Sequence, residues 1–570
     1  MRLRADILVI GAGGAGARAA IEAATRDPEM KIVILNQGPV GRSGLTAMAN
    51  GGMVWVEHPD DSPEALFEDL LRYGCYLNEQ NLVEVLTLEG PQRAQELINW
   101  GAKMIPFESG GGETKTGTVK RHTYPRGHYI PGVGYMEALK NEIARHPNIT
   151  VFEDVVTTKL LTAGNRVTGA FVLNIRKGDY LVVDAKATIL ATGGLGEIYP
   201  HSTNAPFGMH GHATGMGYAM AYHAGAELID MEMVQFTGNQ LYPPWLLGNP
   251  ELLCTMCGGK YINALGDEFI QQPQPRDVIQ KAAFKEIRDG RGTEKGGVYI
   301  DLTRSPLTSE EIEDQLKHSL AEEVAKERWQ LIKRMSVNDP DPRNWRIEFA
   351  PGGAHFFMGG VKINEKCETS LEGLFAAGEV SGGVHGANRM GGNAMVEIIV
   401  FGARAGRYAC EYAGGADEVA SDDNPEEEYD RLCSFFRNEG MTPKEITDRV
   451  AAVMSEYVGV ARTEDSLNNA LTELQAVRSD ELQKMRAPSG FTFNSGWVEA
   501  IQVPFMLDTS EMITRSALLR TESRGAHLRE DFPDTKPEWL KHTRIIKKHD
   551  NMDAGTTPVT ITKSDPEGRI

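Results

Sequence analysis

The chain has 570 residues, with 79 acidic against 59 basic side chains and a formal net charge of −20. A length beyond one ordinary core predicts two to four domains, and the acidic surplus disfavours nucleic acid and anionic membrane as general partners, so an anionic ligand has to be gripped by local arginines. No stretch reaches the roughly 18 uncharged apolar residues of a membrane span, the opening Met-Arg-Leu-Arg-Ala-Asp leads straight into a glycine motif rather than a signal-peptide core, and six scattered cysteines form no disulfide framework, which together predict a cytoplasmic protein with no direct membrane span.

Residues 7–10 read as a buried parallel strand and 17–24 as the helix that follows it. Between them lie Gly11, Gly13, Gly14, Ala15 and Gly16. Gly11 permits the tight turn, Gly13 lets backbone approach a diphosphate, Gly16 lets helix and strand pack closely, and the helix start offers unpaired N–H groups. Alone, such a motif is also met as a plain glycine turn; its strand and helix flanks make it a dinucleotide site. A second strand follows at 31–35, and then Asn36 and Gln37 stand where an NAD-binding chain usually carries an acid. This weakens NAD and leaves FAD, whose ribose an amide can also bond.

Further strands are expected at 167–173, 180–183 and 187–191, the last ending in Ala191, Thr192, Gly193 and Gly194, another place where backbone can approach a cofactor. Composition changes from 236 to 351, with prolines and then a Glu- and Lys-rich helical stretch at 310–335, which reads as an inserted domain. Strand and glycine signals resume near Ala377-Gly378-Glu379. The acidic run 421–430 reads as a linker, helical periodicity marks 445–458, 467–485 and 497–519, and 541–570 reads as a tail. The predicted fold is α/β: a Rossmann-like FAD-binding domain (1–235 and 352–415), an inserted α+β capping domain (236–351) and a C-terminal helical domain (416–540).

Nine segments in order resemble the flavoprotein subunit of succinate dehydrogenase and fumarate reductase, a family that includes L-aspartate oxidase. They are Gly11 to Gly16; Arg42-Ser43 leading to Asn50-Gly51-Gly52; Ala191-Thr192-Gly193-Gly194; Asp230-Met231-Glu232-Met233-Val234-Gln235-Phe236; Pro275-Arg276-Asp277-Val278; His355-Phe356-Phe357-Met358-Gly359-Gly360; Ala377-Gly378-Glu379; His385-Gly386-Ala387-Asn388-Arg389-Met390-Gly391-Gly392-Asn393; and Arg520-Thr521-Glu522-Ser523-Arg524-Gly525-Ala526-His527. The resemblance implies FAD under a capping domain and a carboxylate-bearing substrate between the two. It makes Arg389 the grip on a substrate carboxylate, His355 its assistant and Arg276 the proton shuttle. It also places Ser43, Gly44, Thr46, Asn50, Gly51, Gly52, Glu379, Asn393 and Ala394 along the cofactor. A guanidinium suits the first role, since its planar fork stays charged and meets a carboxylate bidentately. Taken singly, Arg389 also reads as a structural ion pair, His355 as a core histidine and Arg276 as a surface arginine; appearing together in family order is what gives them function.

Two departures stand out. Respiratory members attach FAD through a histidine in Arg-Ser-His-Thr, whereas this chain has Arg42-Ser43-Gly44-Leu45-Thr46, so a non-covalent FAD is expected and a tilt toward reducing substrates. The family's His-Pro-Thr-Gly after Gln-Phe is Thr237-Gly238-Asn239-Gln240, and a further ligand segment becomes Glu251-Leu252-Leu253-Cys254-Thr255-Met256-Cys257. One end of the dicarboxylate pocket is therefore remade, and the substrate is another unsaturated acid, ester or thioester. Cys254 and Cys257 read as a pair of buried thiols or as a redox dithiol; no zinc spacing follows, so no metal is expected. Lacking its own iron–sulfur cysteine pattern or nicotinamide motif, the chain is expected to draw electrons from an iron–sulfur subunit, through which it is also peripheral to a membrane. Amino-acid oxidation of the L-aspartate oxidase kind, and an electron-relay role without a substrate of its own, remain the alternatives.

Overall fold

The computed structural model describes the chain apart from residues 50–51, 107–122, 125, 201, 203–212, 238–239, 242–245, 248–252, 255–256, 272–273, 275, 319–338, 340, 550 and 565–570. For 105–106, 129, 240–241, 246–247, 276 and 315–318 only the backbone is described.

At the centre lies β1 (Arg2–Ile10), whose run Ile7 to Ile10 is almost wholly buried, followed by α1 (Gly14–Arg26) and β2 (Ile32–Leu35). β1 pairs in parallel with β2 on one side and with β3 (Tyr180–Leu190) on the other. The seven-stranded sheet is completed by Ile149–Phe152 beside β2, by Leu374–Ala376 beside β3, and by Arg166–Asn174 and Val155–Ala163. β3 is one strand where the sequence suggested two. Its polar interruption at Asp184 and Lys186 is answered across the ladder by Arg2 and Asp6, each ion pair under 3 Å, so the pairing runs on.

β4 (Val234–Thr237) leaves this region, and the chain from 240 to 350 builds a six-stranded sheet with α2 (Arg276–Glu286) against it. That unit has its own core, in which Trp345, Tyr261, Phe349, Ile279 and Ala283 pack together, and we treat it as the cap. The chain returns along β5 (Gly353–Phe357), antiparallel to β4. Gln235 faces Phe356 and Phe236 faces Ala354, which leaves His355 as the extra residue of a bulge. Bulges re-aim a side chain out of its ladder.

α3 (Asn393–Gly415) then crosses α1 at close range: a Cβ on Gly406 would fall 2.1 Å from the Ala19 carbonyl oxygen. Behind it stand Pro443–Tyr457, Glu464–Ala476 and α4 (Ser495–Leu519). Three readings need correction here. The run 421–430 is not a linker throughout, because Asn424 accepts from the Glu426 N–H and caps a helix, Pro425–Cys433, whose first-turn glutamates suit the positive helix end. The helix expected over 467–485 ends at Ala476 and finishes in a wider and then a tighter turn. The supposed tail is a hairpin, Lys541–Lys548 with Asn551–Pro558, paired to Leu228–Ile229 and anchored by buried His542 and Ile545. Of the helix expected at 310–335, Ser309–His318 is present and 319–338 lie outside the described residues.

Candidate active site

The glycines do what close approach demands. Gly11 has φ +101°, and a Cβ there would lie 2.3 Å from the Ala191 carbonyl oxygen; one on Gly16 would lie 1.9 Å from the Gly11 oxygen. By contrast, Gly44 and Gly193 have open space where a side chain would stand, and a Cβ on Gly13 would come no nearer than 3.8 Å to Thr46 Oγ1. Gly13 caps α1 without a side chain, which leaves first-turn N–H groups to other partners, and Thr46 Oγ1 accepts from the Gly14 N–H at 3.1 Å. Asn36 accepts from the Ala12 N–H at 2.9 Å and donates to the Gly38 carbonyl and the Ser43 hydroxyl, so its amide ties the loop and offers a ribose only a remaining lone pair. Gln37 is half-buried beside it, and Ser43 donates onward to the Pro39 carbonyl.

Thr192 Oγ1, which lies against Gly217, and Asn393 Oδ1 are buried without hydrogen-bond partners. Glu379 is buried too; a Cβ on Gly194 would fall 2.5 Å from its carboxyl group. Burial pushes that carboxyl up to about 8, against the pull of the Phe357 N–H at 3.2 Å and of Arg389, with Glu397 adding to the rise. Open space at Gly44 and Gly193, with unsatisfied buried polar atoms at Thr192 and Asn393, fits a flavin dinucleotide. Gly52 opens a short strand and Ala394 is half-buried in the first turn of α3, whereas Asn50 and Gly51 lie outside the described residues.

Arg389 is 5% exposed. It donates to Gln235 Oε1 at 3.0 Å and to the Met390 carbonyl at 3.3 Å, and its guanidinium lies 4.5 Å from the centre of the Phe356 ring. Phe356 meets the His385 ring edge-on, and His385 pairs with buried Glu397 at 3.1 Å. Gln235 donates in turn to Asn388 Oδ1 and to the Arg389 carbonyl, and Asn388 donates to Asp277 Oδ1 at 2.9 Å. The first turn of α2, and with it the backbone of Arg276, therefore abuts the arginine loop. The Arg276 side chain is not among the described atoms. His355 stands in its bulge one residue from Phe356.

Sequence reasoning missed a buried ionic lattice behind β4. Arg520 donates to Glu232 at 2.6 Å and meets Asp230 and Glu522, while His542 bridges Asp230 and Glu79. Burial works against an imidazolium at His542, but the two carboxylates override it and hold its pKa up at about 9. The lattice clamps the loop that delivers Gln235. Its only sequence signal was the pairing of an Asp-x-Glu segment with an Arg-x-Glu segment nearly 300 residues on. Cys254 and Cys257 are buried in the cap core and not bridged by a disulfide, and burial pushes the Cys257 thiol up to about 12, which opposes a redox dithiol. Thr237, at the remade end, is fully buried with an unpartnered hydroxyl.

A family model described as an FAD binding domain matches residues 6–395, and one described as the fumarate reductase flavoprotein C-terminus matches 447–570. Among relatives, the chain is 39% identical to a subunit of the fumarate reductase (CoM/CoB) of Methanothermobacter marburgensis, over 95% of this chain and 97% of that one. It is 30% identical to the fumarate reductase flavoprotein subunit of Escherichia coli, over 100% and 96%. Among solved structures, the FrdA chain of E. coli quinol fumarate reductase superposes with a TM-score of 0.86 at 29% identity, covering 99% of this chain and 98% of that one. The chain belongs to the fumarate reductase and succinate dehydrogenase flavoprotein family and is an FAD-dependent oxidoreductase acting on CH–CH bonds.

Proposed function

We propose that the protein reduces a C=C bond conjugated to a carboxylate, within a complex in which an iron–sulfur subunit feeds it electrons. The observation that carries this reading is the seam at Arg389, where a buried guanidinium stacks on Phe356 of the strand that carries His355 and the neighbouring Asn388 bonds the first turn of α2. Arg389 orients the carboxylate with its fork, His355 assists, and Arg276 hands a proton to the carbon beside the one reduced. FAD, when bound, supplies the two electrons as hydride equivalents. Phe356 and Gln235 hold the guanidinium in one pose, so substrate binding does not have to order it.

That relatives are named as subunits supports a multi-chain complex. No helix among the described residues is long and apolar enough to cross a membrane. With Thr237 at the remade end, the far part of the substrate is bound otherwise than as a second free carboxylate, which favours mono-acids, esters and thioesters over fumarate itself. FAD is held without a covalent bond, since Gly44 occupies the position of the family's histidine. Supplying electrons from a reduced viologen dye and screening unsaturated acids, half-esters and thioesters tests this. Turnover of at least one is expected; none turned over, with flavin present, overturns it.

A further inference from the structure

We propose that Asp277 and Asn388 form a positioning pair that registers the cap helix against the carboxylate-binding loop, setting where Arg276 stands over a substrate held by Arg389. The inference deepens the proposed function and rests on its assignment of those two arginines.

The geometry is contiguous. Asp277 follows Arg276 directly in the first turn of α2, and its Oδ1 accepts from Asn388 Nδ2 at 2.9 Å. Asn388 precedes Arg389, and its own Oδ1 accepts from Gln235 Nε2 at 2.9 Å. Gln235 Oε1 then receives the Arg389 Nη2 donor at 3.0 Å. One chain of hydrogen bonds thus joins the residue beside the proposed shuttle to the guanidinium that grips the acid.

The same face of α2 makes two more contacts. Gln280 accepts from the Gly352 N–H at 3.0 Å, immediately before the strand that carries His355. Lys281 donates to the Gly525 carbonyl at 2.7 Å, with its ammonium 3.8 Å from Asp277. Spacings of three and four residues put positions 277, 280 and 281 on one helix face. The backbone contacts at Gly352 and Gly525 seat the helix. Of these three contacts, Asp277–Asn388 alone joins two side chains across the seam, and it reaches the arginine loop itself. A one-ångström error in such a seat is enough to cost about two orders of magnitude in rate.

Asn388→Asp isolates this contact. It keeps the acceptor for Gln235 and turns the partner of Asp277 from donor to carboxylate. The exchange D277N/N388D restores one donor and one acceptor with their direction reversed, and Gln235 still finds its acceptor. For N388D we expect kcat to fall about tenfold or more, the kinetic equivalent of one charge-assisted hydrogen bond, with bound flavin nearly unchanged. The exchange variant should recover most of that loss. Amide hydrogen exchange over 276–286 should quicken in N388D and slow again in D277N/N388D. A normal kcat in N388D, or an exchange variant no better than N388D in rate and amide protection, overturns the pair. The exchange data need no turnover, so a wild-type protein inert toward every acid would overturn the functional reading while the pair is still judged on its own.

Discussion

Replacing Arg389 by lysine is the perturbation whose size the structure sets most closely. Lysine keeps the charge but offers a point donor in place of a rigid fork. The change gives up the bonds to Gln235 Oε1 at 3.0 Å and to the Met390 carbonyl at 3.3 Å, and Gln235 Oε1 is then buried without its donor. An ammonium over Phe356 retains part of the stacking energy, so the charge itself stays near its place. The catalytic loss comes from the second arm on the substrate carboxylate. One charge-assisted hydrogen bond is worth about 1.5–3 kcal/mol, so kcat/KM for the best unsaturated acid should fall by between about tenfold and about 150-fold. A dye-linked steady-state assay reads this, with flavin content per chain as the control for folding. A variant with full flavin and kcat/KM within about threefold of wild type would show that the fork does not grip the acid.

Held up at about 9 by its two carboxylates, above the ordinary 6.5, His542 contributes its full share of the lattice's stability below pH 6.5, and that share is lost as pH rises through 9. Melting temperature should fall from pH 7 to pH 9.5 and His542→Asn should flatten that fall, on the order of 3 kcal/mol being involved; parallel curves would refute the role. Acid precipitation should release all flavin into the supernatant, whereas flavin fluorescence in the washed pellet would show a covalent bond. C254S/C257S should leave flavin reduction by every donor tested unchanged, because both thiols are buried, and a donor whose reduction is abolished would restore the dithiol reading.

The glycine motif is legible in the sequence because its constraint is local and steric. Only glycine fits beside the Ala191 carbonyl at Gly11 or beside the Gly11 carbonyl at Gly16, whatever the rest of the chain does. The strands of the parallel sheet are legible as apolar runs, yet β3 reads as two pieces because the partners of Asp184 and Lys186 lie on β1, some 180 residues away. The same limit hides the bulge at His355, which depends on how β4 and β5 slide past each other, and the lattice that joins Glu79, Asp230, Arg520 and His542. Asn36 shows a subtler limit. Its amide reads as a ribose contact, but the nearest donors and acceptors belong to its own loop. The C-terminal hairpin reads as a tail because its outer strand buries no residue fully and its inner strand is rich in Lys and Arg; its anchor, His542, looks polar until Asp230 and Glu79 are placed around it.

Carboxylate grip and proton delivery have to meet at one flavin site for the proposed reduction to run. The direct test is a single turnover: the FAD-loaded protein is reduced without oxygen, mixed with unsaturated acids, and followed by return of the oxidised flavin absorbance. Wild type should reoxidise with at least one acid, and Arg276→Gln, carrying the same flavin, should not. Reduced flavin that ignores every acid yet reoxidises in air, or an Arg276→Gln variant as fast as wild type, would contradict it.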